Sequence, residues 1–173
     1  MSDDFRLEGV TDLDQIVIPK RVPRVLRVPW HRTVEGVVLC DRLFKLPTHY
    51  VGKRTRLCSG KSNCEVHKSS PLRIYFLCAV FDQEEREAFW FQLPPAASKA
   101  LLFGVKVLER PLFGVSVRVG RKWKDKNAPV VLHVENSTVR RVELQRPLNP
   151  DESVRRCFFS CDEKPSTNGR KAV

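Results

Sequence analysis

Two thiols and two imidazoles fall close together in this chain as His49, Cys58, Cys64 and His67, with the spacing His-x8-Cys-x5-Cys-x2-His. Thiolate sulfur and imidazole nitrogen are donors that a zinc ion accepts in a closed tetrahedron, and Cys-x2-His lets one knuckle supply two of them. Gly60, with Ser59, Ser62 and Asn63, gives the backbone freedom to turn between the cysteines. The segment is otherwise too polar to bury a core of its own, so a metal would supply its ordering energy. Four protein ligands leave no open position for water, which makes the expected Zn2+ structural.

His49 is the least tightly specified of the four, and Cys40 is the alternative to it. Cys78 lies in an apolar run and reads as a buried thiol. Cys157 and Cys161 are four apart and would share a helical face, a weak second half-site beside which packing of Cys157 with Phe158 is favoured.

The elements that must position these ligands follow from patterning. Residues 33–40 are rich in β-branched side chains and read as a first strand. Residues 72–81 and 88–93 read as a hairpin with a charged tip. Pro95 opens a segment, 96–109, with apolar residues at helical spacing that Pro111 stops. Residues 113–120 and 128–135 alternate as strands, and 139–144 continues the last one after a bend at Asn136. Asn149-Pro150-Asp151-Glu152 has the cap, proline and acid order of a helix start, predicting a short helix over 150–160.

Five strands with a helix between the third and fourth, and a zinc-binding insertion at 45–70 between the first and second, predict a mainly β fold. Its connectivity is that of an OB-like Greek-key barrel, whose first and fourth inter-strand connections flank an oligonucleotide face. Those connections are among the most basic stretches of the chain. Residues 52–61 carry Lys53, Arg54, Arg56 and Lys61 with no acid, and 118–126 carry five cations against Asp125. Over the whole chain 31 Lys and Arg outweigh 20 Asp and Glu, a formal +11 that favours a polyanionic partner. Two cationic loops on one rim would form a groove that tracks phosphates.

Ligand order and strand order together resemble the zinc-containing single-stranded-DNA-binding proteins of T4-like phages. That family usually ends its ligand set with Cys where this chain has His67. The resemblance implies binding without chemistry. Lys53, Arg54, Arg56, Arg121, Lys122, Lys124 and Lys126 would contact phosphates, and Tyr50 and Trp123 would stack on bases, with Trp30 a third candidate. The partner would be single-stranded nucleic acid, DNA in preference to RNA. An RNA-binding regulator and a zinc-stabilised protein-interaction adaptor are the alternatives.

An enzyme is not expected. The chain has no Gly-x-Ser-x-Gly, Walker or dinucleotide motif, and Glu65 between Cys64 and His67 does not match the order of zinc deaminases. No apolar run approaches the roughly eighteen residues that a membrane-spanning helix needs, and the start of the chain lacks the features of a signal peptide, so a cytoplasmic protein is expected. Residues 1–19 hold five acids against Arg6 and read as a flexible arm that could dock a protein partner. Residues 20–160 read as the single folded domain, and 161–173 as a disordered tail.

Overall fold

A computed structural model describes residues 16–18, 22–60, 64–138, 142–144 and 148–160. The acidic arm, apart from 16–18, and the C-terminal tail lie outside the described residues. In chain order the strands begin with β1 (Ile16–Ile18), β2 (Arg24–Arg27), β3 (Val34–Val38), β4 (Phe44–Val51) and β5 (Arg54–Leu57). A 3-10 turn (Glu65–Lys68), β6 (Arg73–Asp82), β7 (Glu87–Leu93) and helix α1 (Pro95–Val107) follow. The described chain ends with β8 (Val115–Arg121), β9 (Val130–Thr138), β10 (Val142–Leu144), helix α2 (Pro150–Cys157) and β11 (Phe159–Ser160).

The sheet is organised around β6. Its last six residues are all buried, which requires cover on both faces and explains why Leu77–Phe81 is a continuous apolar run. One edge of β6 pairs with β7. The other edge is shared end to end, residues 73–77 pairing with β4 and 80–82 with β3. The expected first strand and the first part of the expected insertion therefore form two consecutive pieces along one edge of β6.

Beyond β3 lie β8 and then β9, and beyond β4 lie β5 and β11. Pairings are antiparallel except β2 on β7, β11 on β5, and the separate pair β1 on β10, so the sheets are mixed. Four pairings of the expected five-strand order are present: β3 with β6, β6 with β7, β3 with β8 and β8 with β9. Among the described residues the sheet does not close into the expected five-stranded barrel. The second edge of β7, which closure would need, is instead taken by β2, part of residues 20–32, a run with five Lys and Arg, no acid, and prolines at 23 and 29.

Helix α1 lies where it was expected in chain order but ends at Val107, just before Glu109 adopts a left-handed φ of 52°. Gly104 weakens a helix by propensity. Its reason is packing, because a Cβ there would stand 2.6 Å from Cγ2 of Val134 on β9. Strand β9 runs through Asn136 without the expected bend, and β10 pairs with β1 instead of continuing it. In α2, Asn149 Oδ1 accepts the Asp151 amide at 2.8 Å, the cap that the sequence predicts. That helix stops at Cys157, which is exposed, and the expectation that involves Cys161 lies outside the described residues. No helix among the described residues is long and apolar enough to cross a membrane.

Candidate metal centre and basic face

The candidate ligands are positioned by a two-residue hairpin. Gly52 and Lys53 both have positive φ, 58° and 64°, as a type I′ turn demands, and its twist suits the flanking strands. The turn fixes the β4–β5 register as Thr48 opposite Leu57, His49 opposite Arg56, Tyr50 opposite Thr55 and Val51 opposite Arg54. The amide of Cys58 donates to Pro47 O at 3.0 Å and carries the pairing one step further.

Gly60, at φ 72°, then turns the chain, and its amide donates to Cys58 Sγ at 3.4 Å. Cys64 is the N-cap of the 3-10 turn and His67 lies in it, with the His67 amide bonded to Cys64 O at 3.0 Å. Side chains at i and i+3 eclipse in this geometry, so the Cys-x2-His spacing puts both ligands on one side.

The four ligand atoms all lie within 4.8 Å of one another. Cys58 Sγ is 3.4 Å from His67 Nε2, and Cys64 Sγ is 3.9 Å from His49 Nε2. Zinc–sulfur and zinc–nitrogen bonds of ordinary length span tetrahedral edges of about 3.3–3.8 Å, so the cluster is near the size of a zinc site. His49 is fully buried, and its Nδ1 lies 3.1 Å from Ser70 O. A proton on Nδ1 donated to that carbonyl leaves the Nε2 lone pair facing Cys64, the outer-sphere arrangement that orients metal-bound histidines. Ser70 also accepts the Tyr50 amide through Oγ at 3.2 Å and donates to Tyr50 O at 3.1 Å, clamping the segment to β4.

Cys40 does not join this group. It lies 4.0 Å from Cys78 in the core, where the Cys78 thiol is held well above its ordinary range by its hydrogen bond with Cys40 and by burial. A soft and borderline donor set of two sulfurs and two imidazoles, without a carboxylate, is compatible with zinc.

The expected nucleic-acid contacts divide by strand alternation. Residues directly opposite in an antiparallel pair share a face, and neighbours along a strand alternate. Arg54 and Arg56 therefore share the face of His49 and the metal cluster, whereas Tyr50 shares the other face with Thr55. Tyr50 therefore does not share a strand face with Arg54 and Arg56. Tyr50 is 45% exposed, and the Arg73 guanidinium sits 5.7 Å from its ring centroid.

In the second basic connection Lys122, Trp123, Lys124 and Lys126 are exposed. Lys122 Nζ lies 5.6 Å from the centroid of Trp123, which is 54% exposed. Arg121 is half-buried and holds the loop's ends, its Nε donating to Val28 O at 3.3 Å and Nη1 to Ala128 O at 2.7 Å. Burial, and then the neighbouring charge of Arg27, lower its pKa. Trp30 is 51% exposed, while Trp90 is fully buried.

Sequence reasoning passed over Arg27 and Arg73. Arg27 was visible only as part of a basic run, and Arg73 as a charge at the start of an apolar strand. No protein-family model, curated protein or solved structure matches the chain.

Proposed function

We propose that this chain binds single-stranded nucleic acid, DNA in preference to RNA, with little demand on base sequence, using an OB-like sheet braced by a structural zinc ion. The observation that carries this is the pairing of exposed aromatics with cations at two places, Arg73 over Tyr50 and Lys122 over Trp123. Each base stacked on such a ring contributes on the order of 1–3 kcal/mol, and a duplex offers no free base faces to stack. The four retained pairings of the five-strand order support the OB-like assignment. Zinc held by His49, Cys58, Cys64 and His67 would keep the β4–β5 hairpin in place and take no part in chemistry.

Titration with matched single-stranded DNA, RNA and duplex tests the proposal. Trp fluorescence should quench most with single-stranded DNA, and affinity should fall steeply with added salt. Binding that is absent, or insensitive to salt, would overturn it. Metal analysis should find one zinc per chain, lost in Cys58→Ser and Cys64→Ser.

A second reading, a protein-interaction adaptor, is favoured by the exposed apolar face of α1, where Leu102, Phe103 and Val107 are 50%, 70% and 62% exposed. Loss of partner capture on removing residues 1–15, with oligonucleotide binding absent throughout, would favour the adaptor.

A further inference from the structure

Several arginines have an acid close by. Arg24 pairs with Glu87, Arg32 with Asp82, Glu84 and Glu85, Arg118 with Glu35 and Glu135, and Arg156 with Glu152. Arg27, Arg73 and Arg121 are in none of these pairs, although Arg121 has Asp125 among its electrostatic neighbours, and their contacts fall in one region. Arg27 Nη2 reaches 3.4 Å across to Thr55 Oγ1 on the hairpin. Arg121 is anchored on the carbonyl of Val28, the residue next to Arg27, and Arg27 is close enough for the two charges to oppose each other. Arg73 lies over the ring of Tyr50.

Strand register brings these contacts to a common face. Tyr50 is opposite Thr55, Thr48 is opposite Arg73, and Leu46 is opposite Tyr75. Residues 46, 48 and 50 alternate onto one side of β4, so Arg73 and Tyr75 on β6 and Tyr50 and Thr55 on the hairpin share that side. Arg27 touches Thr55 there, and Arg121 has both Arg27 and Tyr75 among its electrostatic neighbours. Among the described residues, Arg27 and Arg73 have no carboxylate within ion-pair distance. Like charges brought close together, as Arg27 and Arg121 are, are costly, and an anion relieves that cost. Guanidinium forks suit phosphate oxygens, and the Thr55 hydroxyl adds a donor.

Resting on the single-strand-binding reading above, we infer that Arg27, Arg73, Tyr50 and Thr55, with Arg121 behind them, form a phosphodiester-and-base subsite in the mouth between β2 and the β4–β5 hairpin. The nucleic-acid backbone crosses this face and not the metal face that carries Arg54 and Arg56. Arg27 and Arg73 take phosphate oxygens, and Tyr50 stacks on the base between them. The zinc cluster lies on the opposite side of the hairpin and holds Tyr50 and Thr55 in register.

Two charge-matched double variants of the full chain decide it: Arg27→Gln/Arg73→Gln on the proposed face and Arg54→Gln/Arg56→Gln on the metal face. Affinity for a single-stranded oligonucleotide is measured over a range of salt, with metal content and thermal midpoint as checks on folding. Each phosphate contact removed should lower the slope of log affinity against log salt by about 0.7. The first variant is expected to lose roughly tenfold in affinity at about 0.1 M salt, and about 1.4 in slope, with zinc retained. The second is expected to lose distinctly less in both.

Equal losses, or the reverse order, would overturn the subsite while leaving single-strand binding intact. A wild-type chain that does not bind would overturn both. A Tyr50→Phe variant that binds like wild type and a Tyr50→Ala variant that loses about fivefold would support stacking, whereas equal behaviour would remove Tyr50 from the subsite.

Discussion

His49 and His67 are unequal members of the candidate metal cluster. His49 is fully buried with its second nitrogen committed to Ser70 O, whereas His67 is exposed on the 3-10 turn. The member that spacing specifies least is therefore the one the fold orients best. Loss of an outer-sphere partner alone costs metal affinity roughly 10–100-fold, so His49→Ala should cost more than that. His67→Cys supplies another zinc donor at an accessible position and should retain the metal. Competition with a chromophoric zinc chelator would rank the two variants, and a His67→Cys chain that loses metal as fully as His49→Ala would contradict the assignment.

A second residue-scale prediction concerns Asp82 at the β6–β7 turn. Its side chain is fully buried, accepts the amides of Glu84 and Glu85 through Oδ1, and meets Arg32 through Oδ2. That contact raises the Arg32 pKa. Asp82→Ala leaves Arg32 and two amides without this partner and should lower unfolding stability by about 3 kcal/mol in urea. Glu84→Gln, at an exposed side chain, should cost under about 1 kcal/mol.

At the scale of elements, the contact of α1 with β9 is governed by Gly104. Alanine there would gain about 1 kcal/mol in helix propensity. Its Cβ would stand 2.6 and 2.8 Å from Cγ2 and Cβ of Val134, and overpacking of that kind costs about 1–3 kcal/mol. The clash should win, so Gly104→Ala destabilises, and Gly104→Ala/Val134→Ala should recover part of the loss. Thermal denaturation of the single and double variants would measure both; a stabilised single variant would mean that the helix moves outward at no cost.

The β4–β5 hairpin shows how local signals are read and missed. Its sequence, with Gly52 and Lys53 between His-Tyr-Val and Arg-Thr-Arg-Leu, contains a turn signal, yet the run of cations reads as a loop. Only a register set by Gly52 and Lys53 determines that Tyr50 faces away from Arg56.

For the whole molecule, the candidate metal cluster and the apolar core are separate parts of the fold. The core is built on β3, β6, β7, α1 and β8, while the cluster fastens the hairpin and the segment up to Ser70. Chelation should therefore leave most of the β-sheet circular dichroism in place. Amide exchange should accelerate over residues 44–70, and oligonucleotide affinity should fall at the same time. Global unfolding on chelation would show that core and cluster are one cooperative unit.

The sequence by itself determined the candidate ligands Cys58, Cys64 and His67, with His49 or Cys40 as the fourth, the order of β3, β6, β7, α1, β8 and β9, and the cap of α2. Each depends on spacings within one segment, where donor chemistry, alternation and helical period act over a few residues. Tertiary structure alone decided that β2 occupies the edge of β7, that Cys40 belongs with Cys78, and that Arg54 and Arg56 lie on the opposite face from Tyr50. It also brought Arg27 to Thr55, 28 residues away in the chain. These are outcomes of strand partnership and register, and a one-residue difference in register exchanges the two faces of a strand.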